Sequence, residues 1–501
     1  MQLRTAIKEN LVSAPPARAI EFKNRWMTRG DAHAIIDAID RHLSAEGLGE
    51  GTPVVVLARN LPSLAATIAG LVMTGRCVVP VTPFQNAQRI VEDIGELKAP
   101  AVIAVAADWE IPGLADAVAA FGGIGLRLDP AGTQVAAMPG LERLGTGKRQ
   151  GPMPGIAVHM TTSGTTGRPK RVPITFQQME TNALSWLQLD AARNSDKPKD
   201  PDAHTIILHN PIVHISGMMF LVQAFFTGQQ LCLIEKFNVP EWVDAVRRFH
   251  PAYPGLAPTA MRMVLDASVA KEDLASLIAV RVGTAPLDEK TRQRWEDAYG
   301  IPILTNYGAT EFAAAVTQWK LDDYLRLGKS KPSSVGSPVP DVTLRIVDPD
   351  TGNELPVGEK GLLEVKATRF GPDADWLRTT DFASVDADGY LYIHGRADQA
   401  IIRGGFKVIP EVVAEVLAKH ESIKDAAVVG IADERLGTVP VAAVECNPGA
   451  KVPSESELEA YLRRHLVSYQ IPVKIVICEA LPRTPSLKID LRAVREMFTP
   501  A

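Results

Sequence analysis

Through the first two thirds of the 501-residue chain, short β-branched runs alternate with longer amphipathic helical patterns. That rhythm confines this part of the chain to layered, mostly parallel α/β sheets, because each helix carries the chain back to start the next strand in the same direction. The expected strands are 53–58, 77–81, 100–105, 204–209 and 231–235, and the expected helices begin at Asp31, Pro240 and Asp288. From Val335 the texture changes. Residues 342–347, the turn 348–352 and residues 361–367 read as a hairpin, so a small β-rich unit follows the α/β body. Past Asp398 a third texture appears, with a helix at 411–419, strands at 426–431 and 439–446, and a helix at 454–466. The polar segment 194–203, which holds two prolines, reads as a solvated loop.

Composition narrows the classes of function. With 53 basic and 58 acidic residues the chain carries a formal charge of −5, and a polybasic nucleic-acid arm is a poor reading of it. Cys77, Cys232, Cys446 and Cys478 lie far apart without a CxxC pair, so neither a disulfide framework nor a short-range zinc site is expected. His204, His209 and His214 recur every five residues, a spacing that alternates faces on extended chain and argues against a shared metal. The first ten residues lack the apolar core of a signal peptide, and the apolar stretch 215–228 is too short to span a bilayer. The expectation is a cytoplasmic protein without a membrane span.

The densest chemistry lies at 161–170, after a strand-like run. Thr162, Ser163, Gly164, Thr165, Thr166, Gly167 and Lys170 combine glycines that admit close backbone approach, hydroxyl donors and a cation, the set that suits a polyphosphate. The spacing is not that of a Walker loop. Further runs follow in order: Gly283-Thr284-Ala285-Pro286, Asn306-Tyr307-Gly308-Ala309-Thr310-Glu311, Trp376-Leu377-Arg378-Thr379-Thr380-Asp381, Gly395-Arg396-Ala397-Asp398 with Arg403-Gly404-Gly405-Phe406-Lys407, and Pro482-Arg483-Thr484-Pro485-Ser486-Leu487-Lys488.

Taken together and in this order, these runs resemble the adenylate-forming superfamily, which includes the acyl- and aryl-CoA synthetases. The resemblance implies an α/β fold in three parts. A large N-terminal domain of layered α/β sheets (1–397) would include a β-rich, distorted-barrel subdomain at about 335–397, and a small mobile α+β lid (398–501) would bring the catalytic lysine. It also implies roles. Residues 162–167 and Lys170 would embrace the β- and γ-phosphates of ATP, Glu311 would help hold Mg²⁺, and Thr310 would touch the α-phosphate. Gly283, Thr284, Ala285, Asn306, Tyr307 and Gly308 would form the adenine slot with Tyr307 stacked on the base, and Asp381 and Arg396 would hold the ribose. Lys488 would serve the first half-reaction, Asp398 would be the hinge, and Gly404 and Gly405 would let a CoA arm pass. His214, Met218, Phe312 and Ala313 would line the acid pocket, with His214 at its mouth.

Two positions depart from the family pattern: Thr380 and Leu487 each replace a glycine, which narrows the accessible backbone angles. Around His214 no acidic residue is present to pair with an amino acid's ammonium, so an apolar acid is expected. The expected activity is formation of an acyl-adenylate from a fatty or aryl acid, then of a thioester with CoA. A stand-alone enzyme loading a carrier protein and a non-catalytic nucleotide-binding regulator remain as alternatives. The expected partners are the acid, ATP and CoA, without nucleic acid, and a homodimer is left open.

Overall fold

The computed structural model describes residues 2–161, 170–184, 205–371, 374–485 and 487–498, with the backbone alone at 314. A seven-stranded sheet organises the first part, in the order Val135–Ala137, Ile124–Leu128, Ala101–Val105, Pro53–Leu57, Cys77–Val81, Ile156–Thr161, Arg171–Thr175. It is parallel except at its two edges. The three middle strands are buried along their whole length, which is why they read as unbroken apolar runs instead of alternating ones. The helix Pro62–Met73 is buried in all but its last residue, packed between this body and the helices Gln2–Val12 and Arg29–Ala45.

A second sheet runs Ile206–Leu208, Leu231–Leu233, Arg18–Phe22, Arg25–Thr28. The expected strand at 204–209 is thus shorter than its sequence pattern, and His204 and the loop 194–203 lie outside the described residues. A third sheet holds Gly255–Leu256, Val280–Val282, Ile303–Ala309, Ala314–Gln318 and Ser337–Pro338, the first three parallel and the rest antiparallel.

The β-rich unit is a four-stranded antiparallel meander, Val342–Val347, Gly361–Ala367, Leu377–Val385 and Leu391–Arg396. The expected hairpin pairs from Val342↔Ala367 to Val347↔Leu362. Beyond it, Ile423–Asp433 and Gly437–Cys446 pair antiparallel, and on the other edge of Gly437–Cys446 Ile475–Cys478 adds in parallel and the short hairpin of Ile401–Arg403 with Phe406–Val408 adds at Gly437. The helix Pro410–Ala418 opens on a proline, and Ser454 starts Glu455–Arg463 with a reciprocal capping box to Glu457. That second helix ends at Arg463, three residues short of the sequence expectation. These elements close on a core of their own, including Val413, Leu417, Val428, Val444 and Leu458. Among the described residues no helix is long and apolar enough to cross a membrane.

Candidate active site

The site is built where the parallel pairing of two strands of the third sheet ends. Val282 and Thr305 are the last register partners, so Gly283 and Asn306 stand side by side beyond them, at the carboxyl side where α/β sheets bind ligands, while the second strand runs on to Ala309. A Cβ on Gly283 would stand 2.4 Å from Asn306 Oδ1, so only glycine admits this approach. Thr284 follows with φ +71°, and Ala313, after the turn Thr310–Phe312, has φ +58°. A left-handed non-glycine residue costs about 1–2 kcal/mol and persists only where the surroundings hold it. For Ala313 the holder is the amide of buried Asn182, which donates to its carbonyl at 3.1 Å.

Asp381 comes from the β-rich meander, paired across the sheet with Arg396. The Tyr307 hydroxyl donates to Asp381 Oδ2, a contact across 74 residues of sequence that joins the third sheet to the meander. Burial pushes the Asp381 carboxyl above its ordinary value, while the Tyr307 donor and the Arg396 charge pull it back. Burial and the neighbouring carboxylate raise the Tyr307 phenol, which therefore stays a donor. The Arg396 guanidinium donates to Asp398 at 2.7 and 3.0 Å and to Thr380 Oγ1 at 2.9 Å. Thr380 is extended strand, so its departure from glycine carries no backbone strain and instead supplies an acceptor. Glu411 reaches the same corner. One of its oxygens, Oε2, is buried without a hydrogen-bond partner, and burial raises its carboxyl.

His214 stands immediately before the helix Ile215–Thr227. Gly217 lets that helix press onto the preceding turn, since a Cβ there would lie 2.3 Å from the Pro211 carbonyl oxygen. Burial, together with the charge of Lys488, lowers the His214 imidazole to about 4, so it is neutral at pH 7. Lys488 is itself drawn down by burial and by Arg396. Lys488 thus lies within electrostatic reach of both His214 and Arg396, although the three come from distant segments. Met218 lies within the main apolar core, and Phe312 packs in the core of the meander at 6.1 Å from Phe370. Both are closed to solvent, at 0% and 1% exposure.

The C-terminal unit is docked on the N-terminal body through Asp425, Leu487 and Ile423, with Arg483 bracing Asp425 from within the unit. Asp425 accepts from Arg483 at 2.8 Å and from Arg262 at 3.0 Å, and Arg262 also reaches Asp288. The Thr259 hydroxyl donates to the Leu487 carbonyl at 2.9 Å, and Lys290 donates to the Ile423 carbonyl. Lys407, next to the exposed Gly404–Gly405 turn, sits 4.4 Å from the ring centroid of Phe382, beside Asp381.

Residues 162–167 lie outside the described residues, and Lys170 is exposed at the start of the next strand. Glu311 and Gly308 are exposed, Thr310 and Ala285 half-buried. His209, by contrast, is buried against the Gly255 carbonyl at 2.9 Å and takes no part in the site. Among the described residues no group of three or more His, Cys, Asp or Glu side chains is arranged to hold a metal ion. An exposed single carboxylate such as Glu311 fits Mg²⁺ only as that ion is usually held, by one or two carboxylates together with substrate phosphates.

Against known proteins, the AMP-binding enzyme family matches residues 7–369, and the AMP-binding enzyme C-terminal domain matches residues 413–488. The chain belongs to the AMP-binding enzyme family. A 4-coumarate–CoA ligase-like protein 5 of Oryza sativa subsp. japonica is 29% identical over 66% of this chain and 60% of its own length. The chain therefore spans under two thirds of that relative. A 4-coumarate–CoA ligase-like protein 2 of Arabidopsis thaliana is 26% identical over 98% of this chain and 88% of its own length. In structure the chain resembles ATP-bound MatB from Rhodopseudomonas palustris, with a TM-score of 0.82, 23% identity and 98% of both chains covered, a likeness of fold.

Proposed function

We propose that this protein is an AMP-forming acid–thiol ligase that activates an apolar carboxylic acid, fatty or aryl, with ATP and transfers the acyl group to CoA. The observation that supports this reading is the placing of half-buried Lys488, from the last hundred residues, within electrostatic reach of His214 and Arg396, the latter paired across the sheet with Asp381 of the Tyr307–Asp381 pair. Two anions must meet in the first step, in which a carboxylate oxygen attacks the α-phosphorus of ATP and the bond to pyrophosphate breaks. A half-buried lysine ammonium is suited to offset the charge that builds there. In the second step the CoA sulfur attacks the acyl carbon, AMP departs and the thiol proton passes to solvent.

In this reading Asp381 accepts from the ribose hydroxyls, Arg396 adds a donor, Tyr307 stacks on adenine, and Thr310 reaches the α-phosphate. Residues 162–167 with Lys170 cradle the outer phosphates. Mg²⁺, shared between Glu311 and those phosphates, would neutralise part of their charge. Residues 398–501 act as a lid turning about Asp398, with Gly404 and Gly405 along the CoA path. Neutral His214 and the apolar helix Ile215–Thr227 offer no counter-charge to an ammonium, which favours an apolar acid over an amino acid. The names of the 4-coumarate–CoA ligase-like relatives support the same class of substrate.

A panel of fatty, benzoic and cinnamic-type acids tests the proposal through acid-dependent pyrophosphate release from ATP, followed by thioester formation with free CoA or with a phosphopantetheine carrier. Release with apolar acids and transfer to CoA is expected. Transfer to the carrier alone would replace CoA as acceptor, and ATP binding without release for any acid would overturn the ligase reading.

A further inference from the structure

We infer that Leu487 is a positioning residue for Lys488: it wedges the C-terminal unit onto the N-terminal body and so holds the lysine in the site. The inference rests on the proposed roles of Lys488 and of the lid. Its starting point is the turn before the lysine, where Leu487 N–H donates to the Thr484 carbonyl and Thr484 N–H donates to the Lys488 carbonyl, both at 2.8 Å. Arg483 and Ile489 bridge just outside, so the segment is a tight hairpin. The last position of such a short loop is left-handed and is ordinarily glycine. Here it is leucine, at φ +63°.

A branched side chain in that conformation has to be held by something, and two contacts do so. Its carbonyl accepts from the Thr259 hydroxyl, and its half-buried side chain packs on the apolar cluster of the helices Val239–Phe249 and Pro258–Asp266. Among the described residues it is the one apolar side chain after 398 that packs on this cluster. The groups in the polar contacts around it keep a partner when the unit moves away, Asp425 with Arg483, Arg262 with Asp288 and Lys290 with water. Leucine does not; leaving uncovers apolar surface. The strain within the hairpin is present wherever the lid stands, whereas the side-chain packing exists only with Lys488 seated. The side chain therefore biases the lid towards the orientation that serves adenylation.

The test labels lysines of the full-length protein with N-acetoxysuccinimide and reads Lys488 acetylation by mass spectrometry, for wild type and for Leu487→Met, Leu487→Ala and Leu487→Gly. Leu487→Ala and Leu487→Gly should raise Lys488 labelling about five- to tenfold, the effect of losing part of a leucine's apolar cover. Leu487→Met should stay near wild type. Acid-dependent ATP–pyrophosphate exchange should fall in Leu487→Ala and Leu487→Gly only in proportion to the seated population that is lost, while thioester formation from supplied acyl-adenylate does not fall. Equal labelling in all four proteins would overturn the inference. So would Leu487→Gly behaving as wild type while Leu487→Ala is exposed, because backbone strain and not the wedge would then be the cause. Labelling needs no acid substrate. A failure of the ligase reading, with no exchange for any acid, is therefore distinguishable from a failure of the wedge.

Discussion

Replacing Tyr307 with phenylalanine removes one hydroxyl and leaves the ring that the proposed function stacks on adenine. In the structure that hydroxyl donates to Asp381 Oδ2, and it is the foremost of the contacts that lower the Asp381 carboxyl against the effect of burial. A hydrogen bond to a charged group contributes about 1.5–3 kcal/mol. At 1.36 kcal/mol per pKa unit its loss should raise Asp381 by about one to two further units. The sign follows from the direction of the shift. A carboxyl raised above its unfolded value contributes stability that is fully present below the ordinary carboxylate range and is lost as pH rises through its folded value. Tyr307→Phe should therefore cost about 1.5–3 kcal/mol at pH 7 and less at pH 4, measured by urea denaturation. AMP binding by calorimetry should weaken about tenfold near pH 6 and recover towards pH 8 as Asp381 ionises. Tyr307→Ala should lose a further, pH-independent increment from stacking. Identical losses in the two variants, or a Tyr307→Phe loss that does not change with pH, would refute the reasoning.

A methyl at residue 283 would meet Asn306 Oδ1 at 2.4 Å, so Gly283→Ala should weaken AMP binding at least about tenfold while the circular dichroism spectrum is retained; wild-type affinity would contradict this account of the slot. His214, lowered to about 4 by burial and by Lys488, takes up its proton in the folded state only well below its ordinary range. Stability should accordingly fall as pH drops from about 6.5 towards 4, by roughly 3 kcal/mol at most, and His214→Gln should flatten that limb in a denaturation series.

Some of this architecture was legible in the residues because the signals are local. Gly283 follows the short strand Val280–Val282 and Asn306 follows the buried start of Ile303–Ala309, and the hairpin from Val342 to Ala367 follows from a turn between alternating strands. Leu487 took up the left-handed region that its glycine-like position requires, φ +63°, despite the narrower angles expected of a leucine. Thr380 did not; in an extended strand its side chain is an acceptor for Arg396, which no backbone argument could supply. The strand Arg18–Phe22 has no local signature of its partner, because it pairs in parallel with Leu231–Leu233, more than 200 residues away. The same holds for Asp425 between Arg262 and Arg483, and for Glu411 at the Arg396 corner: each is an ordinary charged residue until the fold brings its neighbours. Met218 and Phe312, which the resemblance places along the acid pocket, are packed among buried apolar residues.

The central claim is that a lysine from the C-terminal unit completes the adenylating site, and Lys488→Ala separates the two half-reactions that this claim distinguishes. With an accepted acid, acid-dependent ATP–pyrophosphate exchange should fall at least about a hundredfold, the scale of losing one preorganised electrostatic group. Thioester formation from the supplied acyl-adenylate and CoA should stay close to wild type. Equal loss of both half-reactions, or exchange that survives the substitution, would contradict the account.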